Sequence, residues 1–360
     1  LESDFGAAGC QVMLLREKRT MIRYGLLGFG HHCEKRLVPS FRGAKRSVLA
    51  GIWRRDLAKA GENARQYSIQ HVFGTAEQLC ASPLVDAVFV TSPDARHLPD
   101  VLLAMGHGKA VLCEKPLGMN ANEVEQMLAA AEAAGHRLGV AQNLRYNRSL
   151  EVIRSWIQEG RIGRPLIGNA QFCFAAEASP RQWIYDPALA CGGPIGDVGI
   201  HCIDALRFVL DSRVTQVTAL ARADERSRPL EASAAIGLEF AGGAMGTVSV
   251  STRGIYRSVI EVTGENGTIT SEYGLTVDRP VDVVLWRAGK VEKKQTVSNR
   301  DGYTRMLDSF SEWIEGRGEY RATAADGLHN QQVLDAAYAS WKTGTRQMLA
   351  DSDRGVEKNF

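Results

Sequence analysis

Over the first third of the chain, short apolar runs alternate with stretches in which apolar residues recur every three or four positions. Ile22 to Leu27, Ser47 to Ile52, Val85 to Val90, Ala110 to Leu112 and Leu138 to Val140 read as buried strands, each followed by a helix-like segment. Such alternation predicts βαβ units and a parallel sheet. After about Asn143 the grammar changes. A helix is expected near 148–159, a strand near 166–174, then a loop rich in Pro, Gly and aromatic residues up to Gly196, and a helix from Asp197 to Leu210. Strand-like runs follow near 214–222, 233–240, 244–252, 256–263 and 281–287, punctuated by turns such as Ala241-Gly242-Gly243 and Glu265-Asn266-Gly267. Strands that follow one another without helices predict a mostly antiparallel sheet. Two helical stretches, about 301–316 and 324–348, close the pattern, which leaves 1–20 as a loose extension before Met21 and 349–360 as a tail.

Composition narrows the class. A chain of 360 residues suggests two domains at roughly 150 residues each. A 44% hydrophobic and 23% charged content supports a packed core rather than disorder. A net charge of +2 is too small for a phosphate-tracking surface, so no nucleic-acid partner is expected. No apolar run approaches the roughly 18 residues of a membrane span, so no membrane partner is expected either. The 7 cysteines form no C-x-x-C pair, and their odd number cannot close into a full intramolecular disulfide set. Residues 1–20 lack the pattern of a secretory signal. A reducing, cytoplasmic setting fits these features.

Directly after the first strand comes Gly28-Phe29-Gly30-His31-His32-Cys33, leading into a helix through Phe41. A dinucleotide-binding turn needs the first glycine for a tight corner and the second so that backbone can approach a pyrophosphate at the helix N-terminus. The alternative is an ordinary glycine turn, and Cys33 stands where glycine or alanine is usual. The second strand ends in Trp53-Arg54-Arg55-Asp56, with arginines where an NAD-preferring site would carry an acid. A guanidinium fork suits a 2′-phosphate, which favours NADP over NAD, unless the two arginines are a solvated surface pair. Asp56 reads as the cap of the next helix.

Two further clusters carry candidate chemistry. Thr91-Ser92-Pro93 followed by His97, and Glu114-Lys115-Pro116, stand at carboxyl ends of strands, where ligands collect in open α/β sheets. A lone lysine there is otherwise a solvated one. Asp197, His201 and Asp204 fall at i, i+4 and i+7 of the helix expected from Asp197, a spacing that puts a carboxylate one turn before an imidazole to orient it. The alternative is a capping aspartate and a structural histidine. A zinc site from Cys191, His201 and Cys202 lacks the usual ligand spacing, so no metal is expected.

Together these motifs make the chain resemble the glucose-fructose oxidoreductase/inositol dehydrogenase (Gfo/Idh/MocA) family from about residue 21 to 348. The resemblance rests on the glycine turn, Thr91-x-Pro93 with His97, Gly108-Lys109 leading to Glu114-Lys115-Pro116, Gln142-Asn143 with Arg145, Gly192-Gly193 with Asp197 and His201, and the closing Tyr303, Phe310, Gly327 and Ala337. It implies a Rossmann dinucleotide-binding domain over 21–143 and a substrate-binding and oligomerisation domain over 144–348 with a large open sheet. It also implies a homodimer or homotetramer. Lys115, Asp197 and His201 match the family's catalytic positions. By the same resemblance Gly28, Phe29, Gly30, His31, His32, Trp53, Arg54, Arg55, Thr91, Ser92, Pro93, His97, Glu114, Lys115 and Asn143 would hold the cofactor. Arg145, Tyr146, Trp183 and Tyr185 would join the catalytic residues around substrate. Trp183-Ile184 departs from the family's frequent Trp-Arg.

The implied reaction is reversible hydride transfer between nicotinamide and a carbinol carbon of a sugar, polyol or inositol-like substrate. His201 is expected as base, Asp197 as its orienting carboxylate and Lys115 as donor to the reacting oxygen, with the roles of Lys115 and His201 open to exchange. Two alternatives remain at this point: a non-catalytic dinucleotide and sugar sensor, and a glycoside hydrolase that uses bound NAD.

Overall fold

The computed structural model describes residues 21–349, so the 1–20 extension and the tail beyond Leu349 lie outside the described residues. Its first sheet contains β1 (Ile22–Leu27), β2 (Ser47–Trp53), β3 (His71–Val72), β4 (Ala87–Val90), β5 (Ala110–Cys113) and β6 (Leu138–Val140). Their order is β3-β2-β1-β4-β5-β6, and every pairing is parallel. β4 is buried at all of its positions because helices cover both faces, which is why its sequence is continuously apolar rather than alternating. Strand order reverses between β1 and β4. The loops leaving those two strands therefore diverge and open a crevice at their carboxyl ends.

The second sheet comprises β7 (Pro165–Ala175), β8 (Val214–Arg222), β9 (Ser233–Phe240), β10 (Met245–Ser251), β11 (Arg253–Gly264), β12 (Thr268–Ser271), β13 (Pro280–Arg287), β14 (Lys290–Ser298) and β15 (Gln347–Met348). The order is β14-β13-β12-β11-β7-β10-β9-β8-β15, and only the β10–β7 pair is parallel. The helices Arg148–Gln158, Ile200–Leu210 and Ala324–Thr343 supply much of the core beneath one face. Elsewhere in the sheet Leu220, Met245, Trp286 and Met348 are exposed.

Three departures from the expected pattern have physical causes. β14 was not expected, because its sequence KVEKKQTVS carries charge in place of apolar alternation. It forms as an edge strand on β13 through a two-residue turn in which Ala288 and Gly289 both have positive φ (48° and 75°). The last helix stops at Thr343 rather than 348 because Gly344, at φ 69°, caps it in the left-handed region, and the chain then pairs with β8. Finally, Met306, Leu307 and Phe310 of the helix Gly302–Ile314, with Tyr320, belong to the hydrophobic core of the first sheet, although they follow the second sheet in sequence. The chain therefore crosses back, and the two halves are packed together at the cavity described next.

Candidate active site

The crevice between β1 and β4 opens into a cavity of about 640 Å³ lined from both domains. On its first-domain side the glycine turn uses its two glycines differently. Gly28 has φ +93°, and a Cβ there would lie 2.8 Å from the Ser92 backbone nitrogen. Only glycine fits that corner. A Cβ at Gly30 would meet nothing within 4 Å, so that face of the turn is open toward a ligand. Cys33, at the atypical third position, is buried, with Sγ 3.3 Å from Thr91 Oγ1, which itself donates to the Gly28 carbonyl at 2.6 Å. Burial pushes the thiol up to about 11, so Cys33 packs the helix against the strand end rather than reacting. A tight corner, an open second glycine and a close-packed third position fit a dinucleotide's pyrophosphate.

Lys115 follows β5 and reaches across the domain boundary. Its Nζ donates to the Asp197 carbonyl at 2.6 Å and to Asp197 Oδ1 at 3.2 Å. Arg181 closes a fork on the same carboxylate, with Nη1 3.2 Å from Oδ1 and Nη2 2.9 Å from Oδ2. Burial opposes charge on Asp197, but Arg181 and Lys115 outweigh it and hold the carboxyl well below its usual range. His201 also lines the cavity, and its Nδ1 is buried with no hydrogen-bond partner among the described residues. Burial, reinforced by the nearby Lys115 charge, pushes its imidazole down to about 3. It is neutral at physiological pH.

The expected orientation of His201 by Asp197 is corrected here, because Asp197 gives both carboxylate oxygens to Arg181 and Lys115. The cause lies in the helix start. Ile195–Gly199 is a wide π turn, which breaks the regular i, i+4 phase. Asp204, expected on the same face, is instead fully buried and accepts from Arg145 Nε and Nη2 at 2.9 and 2.7 Å.

Arg145 and Tyr146, expected around substrate, are not among the cavity's lining residues. They sit in a buried 3₁₀ turn, where Arg145 also pairs with Asp326, and Tyr146 donates to Ser309 Oγ at 3.0 Å. Tyr185 faces a smaller crevice beside Gly193 and Glu231. His97 is a brace rather than a cofactor contact. It is fully buried, and its ring nitrogens lie 2.8 and 3.0 Å from the carbonyl oxygens of Pro116 and Ser92, tying two strand-end loops together. His31, His32, Thr91, Ser92, Glu114, Asn143 and Trp183 do line the cavity. Phe29 is buried in the first core, Pro93 sits in the turn after β4, and Trp53, Arg54 and Arg55 lie beyond the cavity at the end of β2. His32 Nε2 is 3.0 Å from Glu114 Oε1. Burial opposes charge on Glu114, yet His32 and Lys115 keep its carboxyl below the ordinary range.

Several residues that pattern reading missed complete the site. Arg181 lies in a loop with no periodicity to reveal it. Phe172 and Phe174, two apart on β7, form an aromatic wall with Tyr256, whose ring stands edge-on to Phe172 at 5.9 Å. Their alternation was the available signal. Glu231 is buried and accepts from the backbone N–H groups of Gly193 and Ile195 at 3.1 and 2.9 Å and from the Tyr338 hydroxyl at 3.0 Å. It anchors the turn from which the segment bearing Asp197 and His201 starts. The tight glycines follow from this packing: a Cβ on Gly192 would lie 1.7 Å from Tyr338 Oη, and one on Gly193 2.1 Å from the Glu231 carbonyl oxygen.

A parallel sheet with an open glycine turn at its switch point, facing a lysine and a neutral histidine across a shared cavity, defines a nucleotide-dependent oxidoreductase. The comparisons with known proteins agree. Residues 22–142 match the model of the oxidoreductase family with an NAD-binding Rossmann fold (GFO_IDH_MocA), and residues 150–270 match the GFO/IDH/MocA C-terminal domain. The chain belongs to the Gfo/Idh/MocA family and is an NAD(P)-binding oxidoreductase. A 1,5-anhydro-D-fructose reductase of Ensifer adhaerens is 30% identical over 341 residues, 93% of this chain and 100% of that protein. A trans-1,2-dihydrobenzene-1,2-diol dehydrogenase of Mus musculus is 30% identical over 232 residues, 64% of this chain and 68% of its own length. Aldose-aldose oxidoreductase from Caulobacter crescentus, solved with glycerol, shares the fold with a TM-score of 0.85 at 24% identity, covering 91% of this chain and 100% of that one. Among the described residues no helix is long and apolar enough to cross a membrane.

Proposed function

We propose that the protein transfers hydride between NADP and the carbinol carbon of a neutral, ring-shaped sugar, polyol or related diol. The observation that carries this reading is the meeting of Lys115 from the first domain with Asp197, beside His201 of the second, in the cavity that begins at the glycine turn. The bound nicotinamide supplies or accepts the hydride. Gly30 and the helix start at His31 would hold the pyrophosphate, and Glu114 and Asn143 the neighbouring ribose and ring.

Hydride loss from a carbinol carbon requires loss of the hydroxyl proton, and carbonyl reduction requires its return. A desolvated imidazole down at about 3 binds a proton weakly, because burial and the Lys115 charge outweigh the pull of the Asp197 and Glu114 carboxylates. Lys115 is therefore the group that delivers the proton in the reductive direction and neutralises charge on the reacting oxygen, with neutral His201 as a second hydrogen-bonding group. This exchanges the two roles as first expected. Asp197 and Arg181 fix the lysine's position.

Two features support a neutral ring. Phe172, Phe174, Trp183 and Tyr256 offer aromatic faces to an apolar ring face. Three of the cations lining the cavity are engaged by the protein's own carboxylates, Lys115 and Arg181 sharing Asp197 and Arg36 on Asp278, while Lys35 is exposed, so the cations beside the aromatic faces are not free to seize an anionic substrate group. The two 30%-identical relatives are named for cyclic substrates of this kind.

Absorbance of the nicotinamide, followed with NAD and NADP separately against anhydro-sugars, inositols, cyclic dihydrodiols, aldonates and sugar phosphates, tests the reading. Turnover confined to neutral rings is expected. Preferential turnover of the anionic sugars would contradict it. The exposed apolar residues of the second sheet, Leu220, Met245, Trp286 and Met348, further support a homodimer or homotetramer through that sheet, to be checked by light scattering.

A further inference from the structure

The two tandem arginines after β2 are not equivalent. Arg55 is exposed, and no hydrogen bond to its side chain occurs among the described residues. Arg54 is half-buried, and its Nη1 donates to Asn63 Oδ1 at 2.7 Å. Asn63 lies in the middle of the helix Leu57–Tyr67, only 7% exposed, on the same inward side as Ala60 and Ala64. Its other amide atom, Nδ2, donates to Glu34 Oε1 at 2.9 Å. Glu34 belongs to the first turn of the helix that opens at the glycine turn, where its backbone N–H bonds the Gly30 carbonyl at 3.2 Å. One buried amide thus connects the glycine turn, the end of β2 and the next helix.

The chemistry of the three groups fixes the amide's direction. A guanidinium can only donate and a carboxylate can only accept, so Asn63 must turn its oxygen to Arg54 and its nitrogen to Glu34. The amide also keeps cation and anion apart. Without it, Glu34 could bond Arg54 directly and cancel the charge that a phosphate would need. With it, Arg54 is held by one nitrogen while the remaining N–H groups of its fork stay available, a preorganised arrangement for a bidentate anion contact.

We infer that Asn63 is a positioning residue for nucleotide choice: it aims Arg54, and not Arg55, at the 2′-phosphate of a phosphorylated adenine nucleotide and keeps Glu34 from neutralising it. The inference rests on the NADP reading of the preceding subsection and adds which arginine reads the phosphate and what holds it there.

Calorimetric binding of 2′,5′-ADP and 5′-AMP to the full chain provides a readout independent of turnover. Asn63→Ala is expected to weaken 2′,5′-ADP about tenfold and to leave 5′-AMP within about twofold. Alanine is a better helix former than asparagine, so the variant should fold. Asn63→Asp, nearly identical in shape, sets a carboxylate against both Arg54 and Glu34 and should weaken 2′,5′-ADP further than Asn63→Ala. Arg54→Gln and Arg55→Gln serve as references, the first expected to weaken 2′,5′-ADP and the second to change little. If Arg54→Gln weakens 2′,5′-ADP while both Asn63 variants bind it normally, the positioning role is overturned and the NADP reading stands. If neither arginine variant affects 2′,5′-ADP, the NADP reading itself fails. Equal weakening of both nucleotides by Asn63→Ala would reduce the residue to a structural support and overturn the inference.

Discussion

Two glycine pairs open the two helical segments that face each other across the cavity, and they serve opposite ends. At Gly28 and Gly30 the first glycine is filled by the protein and the second faces open space. At Gly192 and Gly193 both glycines are filled, by the Tyr338 hydroxyl and by Glu231, and the N–H groups of Gly193 and Ile195 already have an internal carboxylate partner. The first turn leaves space beyond its second glycine; the second turn is held by a carboxyl group of the protein itself. A glycine-rich turn before a helix is therefore evidence for a ligand only where the space beyond the glycine is vacant. Lys115 hangs from the open side and Asp197 from the sealed one, so the chemistry is held between a part that must admit a cofactor and a part that must not move.

The largest effect expected is at that junction. Lys115→Met should bind dinucleotide as the wild type does by calorimetry, while kcat falls by about 10² to 10⁴, the usual worth of a positioned acid or base. Wild-type turnover would remove Lys115 from the reaction.

The glycine comparison can be broken directly. Gly193→Ala forces a methyl onto the Glu231 carbonyl and should cost about 1–3 kcal/mol in denaturant unfolding. Gly30→Ala should leave unfolding within about 0.5 kcal/mol of wild type and weaken dinucleotide at least about tenfold. Equal losses of stability at both positions would show that the open and sealed turns are not distinct. Glu231→Gln sets an amide NH2 against the N–H of either Gly193 or Ile195, which bond different oxygens of the carboxyl group, and should cost about 1–3 kcal/mol. Tyr338→Phe, which removes one of the carboxylate's three partners, should cost about 1 kcal/mol.

An effect that vanishes at neutral pH separates site from scaffold. His329, remote from the cavity's lining, accepts from the Val214 N–H at 3.1 Å, and burial with the nearby Arg207 and Arg213 charges pushes it down to about 3. Its folded value lies below the unfolded value of about 6.5, so the unfolded chain binds the extra proton between those limits. Stability from this group is present above pH about 6.5 and is lost as pH falls toward 3. His329→Gln should flatten the dependence of unfolding free energy on pH by up to about 1.4 kcal/mol per unit in that window. An unchanged slope would mean that His329 is not held neutral.

Much of this was legible before the structure. β1, β6 and β9 fall at their expected limits because apolar runs bounded by glycine or polar turns leave little choice of register. Lys115, Asp197 and His201 stand beside Pro116 and the Gly192-Gly193 turn, punctuation that marks strand and helix ends. What failed was inference from neighbourhood. Arg145 and Tyr146 follow the cavity residue Asn143, yet a 3₁₀ turn directs them into the interior, where Asp204 takes the guanidinium. Asp197 and His201 have helical spacing, but the π turn and the unsuspected Arg181 give the carboxylate other partners. A loop arginine two residues before a tryptophan has no period to announce it, and the charge it balances comes from a residue sixteen positions later.

A crystal structure of the ternary complex with oxidised NADP and a non-reacting cyclic polyol tests the central claim most directly. The account predicts one ligand hydroxyl within hydrogen-bonding distance of both Lys115 Nζ and the His201 ring, with the carbon that bears it facing the nicotinamide. A ligand bound elsewhere, with Lys115 still closed onto Asp197 and away from the ring, would contradict it.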